Sequence, residues 1–273
     1  TATTTTVSAS ADGTYVIKLT AVDNAGNSAD STVTFVWDTV APTVNAGLNV
    51  SKNTLFTTSA TASDTTSGIA AYAWSMVSGP EVITLGTPAA LNTTVSANTD
   101  GSYVIRLTVT DNAGNSNNSI FTLTWDTVVP TVSAGAAPSP KNALFTQTGS
   151  ASDSSPSSGI AAITWTQVSG PGTVTFGSVN ATTTTVSANT NGSYTIRLTV
   201  VDNAGNSNNS IVSFTWDTTN PTVSAGTAPS PKNALFTQAG SAADATSGLA
   251  STVWTQVSGP GTVTFGTATA TTT

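Results

Sequence analysis

The 273-residue sequence contains no cysteine and no histidine, and only 7% of its residues are charged. Without these two residue types, Ser-His-Asp and Cys-His catalytic arrangements and the usual zinc sites cannot form. Most enzyme classes also depend on histidine as their general base. The sequence therefore predicts a protein that is not an enzyme.

Positive charge is also scarce, with 6 Lys and Arg against 13 Asp and Glu and a formal net charge of −7. Six scattered cations form no basic patch for a phosphate backbone, so we expect no nucleic-acid partner. The apolar runs span only a few residues, and we expect no membrane insertion in this segment. Thr alone makes up about a fifth of the chain, so hydroxyl groups replace much of the usual surface charge.

Three motifs recur with a period of about ninety residues. DNAGNS begins at Asp23, Asp111 and Asp202, with spacings of 88 and 91 residues, and WDT and SGP recur at nearly the same intervals. This period is too long for a solenoid repeat and suits one complete small β domain.

Cutting the chain after each WDT linker predicts two whole domains and two partial ones. The whole domains are 42-129 and 130-220, the segment 1-41 is the C-terminal half of a domain, and 221-273 is the N-terminal half of a domain. The two outer segments are nearly complementary. We therefore interpret the sequence as a window from a longer tandem array.

Apolar residues alternate along the repeats with the period of a half-buried β-strand. Tyr103, Ile105, Leu107 and Val109 occupy every second position before a DNAGN turn, and a second alternating run ends at Trp125. Two such runs joined by an Asn/Gly turn predict a β-hairpin. No segment has convincing helical periodicity. The sequence therefore predicts an all-β chain of tandem immunoglobulin-like β-sandwich domains in a linear array.

The order W-x-x-V-S-G-P, T-V-T-F-G and G-[ST]-Y-x-I-[KR]-L-T-x-x-D-N-A-G-N resembles the polycystic-kidney-disease (PKD) type of Ig-like domain. The intervening W-D-T-x-x-P-T-V resembles the junctions of tandem bacterial Ig-like repeats in large surface adhesins. This resemblance implies a β-sandwich, an extracellular or cell-surface setting, and a stalk, spacer or adhesive role. It supplies no catalytic residue.

Recurring positions within the repeats carry aromatic residues with separate expected roles. The first Trp set lies in mid-strand, where sandwiches place a core Trp. The second set precedes the linker, where junction packing competes with closure of the domain core. The tyrosines that follow each Gly-Ser or Gly-Thr pair are similar to the tyrosine corner of Ig-like domains. These sets are Trp74, Trp165 and Trp254; Trp37, Trp125 and Trp216; and Tyr15, Tyr103 and Tyr194.

The acidic residues carry the strongest chemical signal, because nine of the 13 occupy three recurring positions. One position lies in the linker, one after the second strand, and one opens the DNAGN turn. Sandwich topology places all three at the same pole of a domain. The sets are Asp38, Asp126 and Asp217; Asp64, Asp153 and Asp244; and Asp23, Asp111 and Asp202.

Grouping these acids at each pole predicts candidate junction Ca²⁺ sites. Asp38, Asp64 and Asp111 would form one, and Asp126, Asp153 and Asp202 the next, since Ca²⁺ takes six to eight oxygen ligands. Amide oxygens would complete the ligand sets, from Asn112 and Asn115 in one case and from Asn203 and Asn206 in the other. Asp217 and Asp244 begin a third candidate site. The alternative is that Asp and Asn are ordinary turn residues that need no metal.

We therefore expect a structural repeat segment of an extracellular surface filament, fibre or adhesin stalk. Its expected partners are neighbouring repeats, identical chains in a filament or sheath, and surface glycans. The alternative is a carbohydrate-binding or spacer PKD module attached to a secreted enzyme. A sugar-binding module needs outward aromatic rings, whereas the alternation here points them inward.

Overall fold

The structure is a computed structural model that describes residues 2–154 and 156–270, in which all regular structure is β-strand. The all-β prediction is therefore confirmed. The predicted outer segments also include residue 1 and residues 271–273, which lie outside the described residues. Contacts divide the chain into two compact units. Unit 1 is Thr1–Val129, Asp153–Gly159 and Asp202–Asn206, and unit 2 is Pro130–Ser152, Ile160–Val201 and Ser207–Thr273.

The first repeat segment is a single antiparallel hairpin. Its strands are β1 (Gly13–Val22) and β2 (Ser28–Trp37), paired in a register that places Tyr15 opposite Phe35. The rings of these two residues stack with centroids 5.5 Å apart. The hairpin is therefore the predicted pair of alternating runs around the first DNAGN turn.

Nine strands form the second repeat, which lies in unit 1. They are β3 (Thr43–Asn45), β4 (Val50–Lys52), β5 (Phe56–Thr57), β6 (Thr61–Ser63), β7 (Ile69–Ser78), β8 (Thr84–Leu85), β9 (Thr94–Ser96), β10 (Gly101–Asp111) and β11 (Ser116–Trp125).

These strands form a four-stranded sheet of order β4-β11-β10-β7, a three-stranded sheet of order β5-β9-β8, and the pair β3-β6. Only β4 runs parallel to its neighbour β11. The start of the repeat thus pairs with β6 through β3 and with β11 through β4, so the chain passes from one sheet to the other between these two strands. Gly47 lies at this change with φ of 104°, a left-handed conformation that side-chain-bearing residues avoid.

The core of the second repeat follows from alternation along β10. Tyr103, Ile105, Leu107 and Val109 are all 0% exposed, because every second side chain of the strand points inward. Two members of each Trp set belong to this kind of core. Trp74 and Trp125 lie in the core of the second repeat, and Trp165 and Trp216 lie in that of the third. Core closure therefore accounts for Trp125 and Trp216, whereas Trp37 of the same set is only half-buried.

The described residues of the third repeat form eight strands. They are β12 (Thr131–Ser133), β13 (Phe145–Thr148), β14 (Ser150–Ser152), β15 (Ile160–Ser169), β16 (Val174–Phe176), β17 (Thr183–Ala188), β18 (Gly192–Asp202) and β19 (Ser207–Trp216). The sheets β15-β18-β19 and β13-β17-β16 and the pair β12-β14 repeat the arrangement of the second repeat, except that an isolated parallel bridge between Lys141 and Trp216 takes the place of a β4-like strand.

The SGP motif packs against the tyrosine of the predicted tyrosine corner, so the two features form one structural unit. The Oη atom of Tyr103 donates a hydrogen bond of 2.6 Å to the carbonyl oxygen of Thr99, and Tyr194 makes the same bond to Thr190. Gly79 lies so close to the Tyr103 ring that a Cβ atom there would overlap it. The tyrosine corner is confirmed, and the glycine of SGP provides the space for its ring.

Residues 221–270 of the last segment form four short strands in unit 2. They are β20 (Thr222–Ser224), β21 (Ser241–Ala243), β22 (Thr252–Val253) and β23 (Thr269–Ala270). They form two separate pairs, β20-β21 and β22-β23. Trp254 is only half-buried, whereas the corresponding Trp165 is 2% exposed.

Candidate functional site

The DNAGN turns are held by the aspartate that opens them. In the second repeat, Oδ1 of Asp111 accepts backbone N–H bonds from Ala113 and Asn115 at 2.9 and 2.8 Å. Its Oδ2 atom accepts a 2.9 Å bond from the Asn115 amide. Because an Asp side chain readily bonds the backbone a few residues on, this local sequence folds into a fixed turn. Asp23 and Asp202 receive equivalent bonds from Asn27 and Asn206.

The aspartate after the second strand organises a second loop. Oδ1 of Asp64 accepts backbone N–H bonds from Thr66, Ser67 and Gly68 at 3.2, 2.9 and 2.7 Å. Asp244 accepts the corresponding three bonds. The loop geometry therefore depends on the carboxylate in both repeats.

Asp153 holds its loop differently, since the segment between this residue and Trp165 is two residues longer than its counterpart in the second repeat. Its Oδ2 atom accepts bonds from the Ser157 hydroxyl at 2.7 Å and the Gly159 N–H at 2.9 Å. Its Oδ1 atom is buried and has no hydrogen-bond partner among the described residues. A buried acceptor without a partner is costly, so this oxygen is the most available ligand atom of the loop.

The linker aspartates connect to the same loops. Oδ2 of Asp38 accepts a 3.1 Å bond from the Ser67 N–H, and Oδ2 of Asp126 accepts a 2.7 Å bond from the Ser158 N–H. Asp126 is 0% exposed. Each linker acid therefore reaches the loop that follows the second strand of the next repeat.

The structure brings the predicted acids together in two clusters, both within unit 1. One oxygen from each of Asp38, Asp64 and Asp111 lies within 4.8 Å of the others, and so does one from each of Asp126, Asp153 and Asp202. Asp111 and Asp202 are each 2% exposed. The spatial grouping of these six acids therefore matches the predicted pairing of linker, loop and turn.

Asp217 and Asp244 lie together in unit 2 without a third acid. Both accept a bond from the Ser247 N–H, at 3.1 and 2.8 Å respectively. Among the residues that the structure describes, no further acid joins them in a potential metal-binding group. This pair has two of the three acids found in each cluster of unit 1.

The four predicted amide ligands lie beside the clusters, but their NH₂ groups bond to protein. Asn112 donates to the Ser67 carbonyl oxygen at 2.7 Å, and Asn203 donates to the Ser158 carbonyl oxygen at 2.8 Å. Asn115 donates to the Asp38 carbonyl oxygen at 3.1 Å, and Asn206 does the same to Asp126. The sequence did not reveal these bonds, because it does not show which end of an amide faces a neighbour. Metal ligation by the four amides stays a prediction.

Hydrogen bonding favours the charged form of Asp111 in the first cluster and of Asp244 in unit 2. Burial opposes ionisation of Asp111, but bonds from the side chain and backbone of Asn115 outweigh it, so its pKa lies below the ordinary value. The pKa of Asp244 is lowered chiefly by the Ser247 N–H. The one salt bridge among the described residues joins Lys18 and Asp30. No basic side chain in the described part of the chain forms a salt bridge with a cluster acid.

The donor set fits a hard divalent cation. Ca²⁺ binds oxygen at 2.3–2.6 Å, so two ligands of one ion lie at most about 5 Å apart. The cluster oxygens, within 4.8 Å of one another, meet this limit. Carboxylates held so close repel one another, and a shared cation would remove that repulsion.

Two stretches of the chain, residues 45–124 and 140–215, match the family model described as K319L-like, PKD domain. They cover more than half of the chain. The chain belongs to this PKD domain family. Residues 1–39 match a second model, described as Bacterial Ig-like domain. The predicted resemblance is therefore confirmed, and the chain contains two tandem PKD-type repeats and a bacterial Ig-like segment. PKD domains are typically non-catalytic modules of an extracellular type.

Several solved structures are similar to this PKD chain. The PKD domain from KIAA 1837 protein is 20% identical, with 33% of this chain and 90% of that chain covered and a TM-score of 0.25. The Clostridium thermocellum CbhA fibronectin(III)-like modules are 14% identical, with 64% and 94% covered and a TM-score of 0.34. Protocadherin Gamma B2 extracellular cadherin domains 3-6 are 15% identical, with 75% and 60% covered and a TM-score of 0.29. No curated protein matches the chain.

The PKD repeats contain no helix long and apolar enough to cross a membrane within the described residues.

Proposed function

We propose that this chain is a structural repeat segment of an extracellular surface filament, fibre or adhesin stalk whose acidic clusters bind Ca²⁺. Family membership supports the coarser part of this proposal, because PKD-type repeats are structural or adhesion-type modules. The clusters support the finer part. In each, an acid from an incoming linker lies beside two acids of the following repeat's loops.

The single observation that carries the proposal is the second cluster. Asp126 and Asp202 are almost completely buried, and the Oδ1 atom of Asp153 is buried without a described hydrogen-bond partner. A cation bound there would tie the linker to both loops. The ion would thereby stiffen the connection between successive repeats, which gives a stalk its reach and rigidity.

Calcium affinity in extracellular modules is about 10⁻⁴–10⁻³ M. At ten times the dissociation constant, one site adds about 1.4 kcal/mol to the free energy of unfolding. We therefore expect Ca²⁺ to raise the melting temperature of the full chain relative to a chelator, and calorimetry to detect two binding sites in unit 1.

Matched variants assign those sites. Asp153→Asn is expected to remove one binding site and Asp64→Asn the other, whereas Glu81→Gln makes the same charge change at an exposed residue outside the clusters and keeps both. Mg²⁺ at the same ionic strength separates site binding from screening. Equal melting temperatures in Ca²⁺ and chelator would refute the calcium proposal.

Electron microscopy of native material tests the filament part. Long threads with a regular axial repeat support it, and short isolated particles contradict it. No specific observation favours the carbohydrate-binding alternative, since Trp74, Trp125, Trp165 and Trp216 are each at most 6% exposed.

A further inference from the structure

A cleft, here named the Thr58 cleft after a residue that lines it, opens on one side of the second repeat. Its volume is about 210 Å³, and its walls include the apolar side chains of Leu48, Val50 and Phe56. Lys52 also lines it, with its ammonium nitrogen 5.8 Å from the centroid of the Phe56 ring. The cleft therefore combines apolar walls with one positive charge.

The third repeat fills the corresponding space with a side chain of its own. The Nε2 atom of Gln147 donates hydrogen bonds of 2.7 and 3.1 Å to the carbonyl oxygens of Ala134 and Ala136. Gln147 is only 3% exposed. Gln238 makes the same pair of bonds in the last segment, at 2.7 and 3.0 Å. A primary carboxamide is therefore the group that this part of the fold accommodates.

The second repeat has no such amide, because Thr58 stands at the position of Gln147. The side chain of Thr58 is shorter than that of glutamine. Its hydroxyl oxygen accepts a 3.0 Å hydrogen bond from the Thr93 N–H, and Thr93 does not line the cleft. The space that Gln147 takes in the third repeat is therefore open in the second.

This open space contains two hydrogen-bond acceptors without donors. Ala46 and Leu48 line the cleft and correspond in the repeat to Ala134 and Ala136. No group in the described part of the chain donates a hydrogen bond to the carbonyl oxygen of Ala46 or Leu48. Ala46 is only 1% exposed, and a buried acceptor without a partner is unfavourable. A ligand that carries N–H groups would remove this cost.

The cleft offers a partner to each end of a carboxamide. The NH₂ group would donate to the carbonyl oxygens of Ala46 and Leu48, as the Gln147 amide does to their counterparts. The carbonyl end would accept from Lys52, which forms no salt bridge among the described residues. A carboxylate has no N–H to donate, and an ammonium group would be repelled by Lys52. The surroundings therefore favour a carboxamide over both charged groups.

We propose that the Thr58 cleft is a binding site for a primary carboxamide, which takes the position that Gln147 occupies in the third repeat. The carboxamide belongs to a small molecule or to the glutamine or asparagine side chain of a peptide. We expect one site in the 273-residue chain, because Gln147 and Gln238 fill the corresponding positions of the later repeats. The proposal is independent of the calcium and filament proposals, since no cluster acid lines the cleft.

A titration of the full chain followed by NMR tests the chemistry of the site. Propionamide is expected to shift the backbone amide resonances of Gly47 and Ser59, which line the cleft, in a saturable manner. Butanone has nearly the same shape but no N–H group, so we expect it to bind at least tenfold more weakly. Equal binding of the two compounds, or no saturable shift with propionamide, would overturn the proposal.

A blocked glutamine, N-acetylglutamine methylamide, distinguishes the two sources of the carboxamide. Tighter binding than that of propionamide would assign the site to the side chain of a peptide, and weaker binding would assign it to a small molecule. Both results support a carboxamide site. If neither compound binds, the proposal is wrong.

Matched variants locate the binding. Thr58→Gln/Asn92→Thr introduces the two residues of the third repeat together, because the Asn92 and Thr58 side chains contact each other at 3.5 Å. The new glutamine should fill the cleft and weaken propionamide binding at least tenfold. Thr84→Gln makes the same Thr-to-Gln change at an exposed residue of β8 outside the cleft, and it should bind like the native chain.

Circular dichroism establishes that each variant is folded. Native-like binding by a folded Thr58→Gln/Asn92→Thr chain would refute the assignment to this cleft. The comparison of propionamide with butanone needs no substitution, so it decides the proposal even if the double variant does not fold.

Discussion

The side-chain amide of Asn206 donates a 2.8 Å hydrogen bond to the backbone carbonyl oxygen of Asp126. The same amide group bonds the Asp202 carboxylate at 2.8 Å. Asn115 repeats this arrangement with Asp38 and Asp111. The last residue of the second and third DNAGN turns thus fastens the linker to the turn without any ion, and the clusters are partly organised by the protein itself.

Replacing Asn206 by Ala should therefore weaken the fold. The variant loses both bonds, together with the 2.9 Å bond that Asn206 Oδ1 accepts from the Asn53 amide, and it leaves buried acceptors. We therefore expect a loss of about 1–3 kcal/mol in the free energy of unfolding. Asn27→Ala is the matched control, since its amide bonds only the exposed Asp23 carboxylate, and its loss should stay near 0.5 kcal/mol. Urea unfolding monitored by Trp fluorescence measures both. Equal losses would show that the bond to the linker contributes nothing.

Substitution of Gly79 by Ala should destabilise the second repeat, because the new methyl group would overlap the Tyr103 ring. Overpacking of this kind costs about 1–3 kcal/mol. Nothing lies within 4 Å of the corresponding added atom at Gly261. Gly261→Ala should therefore change the free energy of unfolding by less than about 0.5 kcal/mol. Chemical denaturation of both variants checks the expectation, and a neutral Gly79→Ala would contradict the described contact.

At low pH, protonation of Asp111 should destabilise the cluster that contains this residue. Its pKa in the folded chain lies below the ordinary value of 3.8, because bonds from Asn115 outweigh burial. A lowered pKa adds stability above the unfolded-state pKa, and this contribution disappears as pH falls through the folded-state pKa. The stability difference between the native chain and Asp111→Asn should therefore be constant near neutral pH and shrink below about pH 4.

Urea unfolding of both proteins across this pH range measures the difference. Asp23→Asn provides a comparison in the exposed hairpin, where bonds from the Asn27 side chain and backbone lower the Asp23 pKa. If the stability difference between the native chain and Asp111→Asn stays constant into the acid range, this result would contradict a lowered pKa for Asp111.

Much of the fold could be predicted because strand alternation and turn chemistry are local. The hairpin of β10 and β11, its core residues and its Asn/Gly turn all follow from a few consecutive residues. The grouping of Asp38, Asp64 and Asp111 also followed, because sandwich topology fixes which loops share a pole. The order of strands and loops within one repeat therefore determines the spatial arrangement of these acids.

Other features depend on neighbours that local sequence does not specify. The pairing partner differs between β3, which pairs with β6, and β4, which pairs with β11. This difference depends on which sheet edge is free to accept a strand. The buried Oδ1 atom of Asp153, which has no partner among the described residues, lies in a loop that is two residues longer than its counterpart and whose path the composition does not fix. The orientation of the Asn112 and Asn203 amides likewise depends on carbonyl groups more than forty residues away in the chain.

The near-absence of ion pairs has a consequence for the conditions that the fold tolerates. Among the described residues, the single salt bridge between Lys18 and Asp30 lies on an exposed hairpin. Dissolved ions screen exposed charges but leave buried apolar contacts and backbone ladders almost unaffected. Outside its acidic clusters, an array of these repeats should therefore keep its structure in both dilute water and brine.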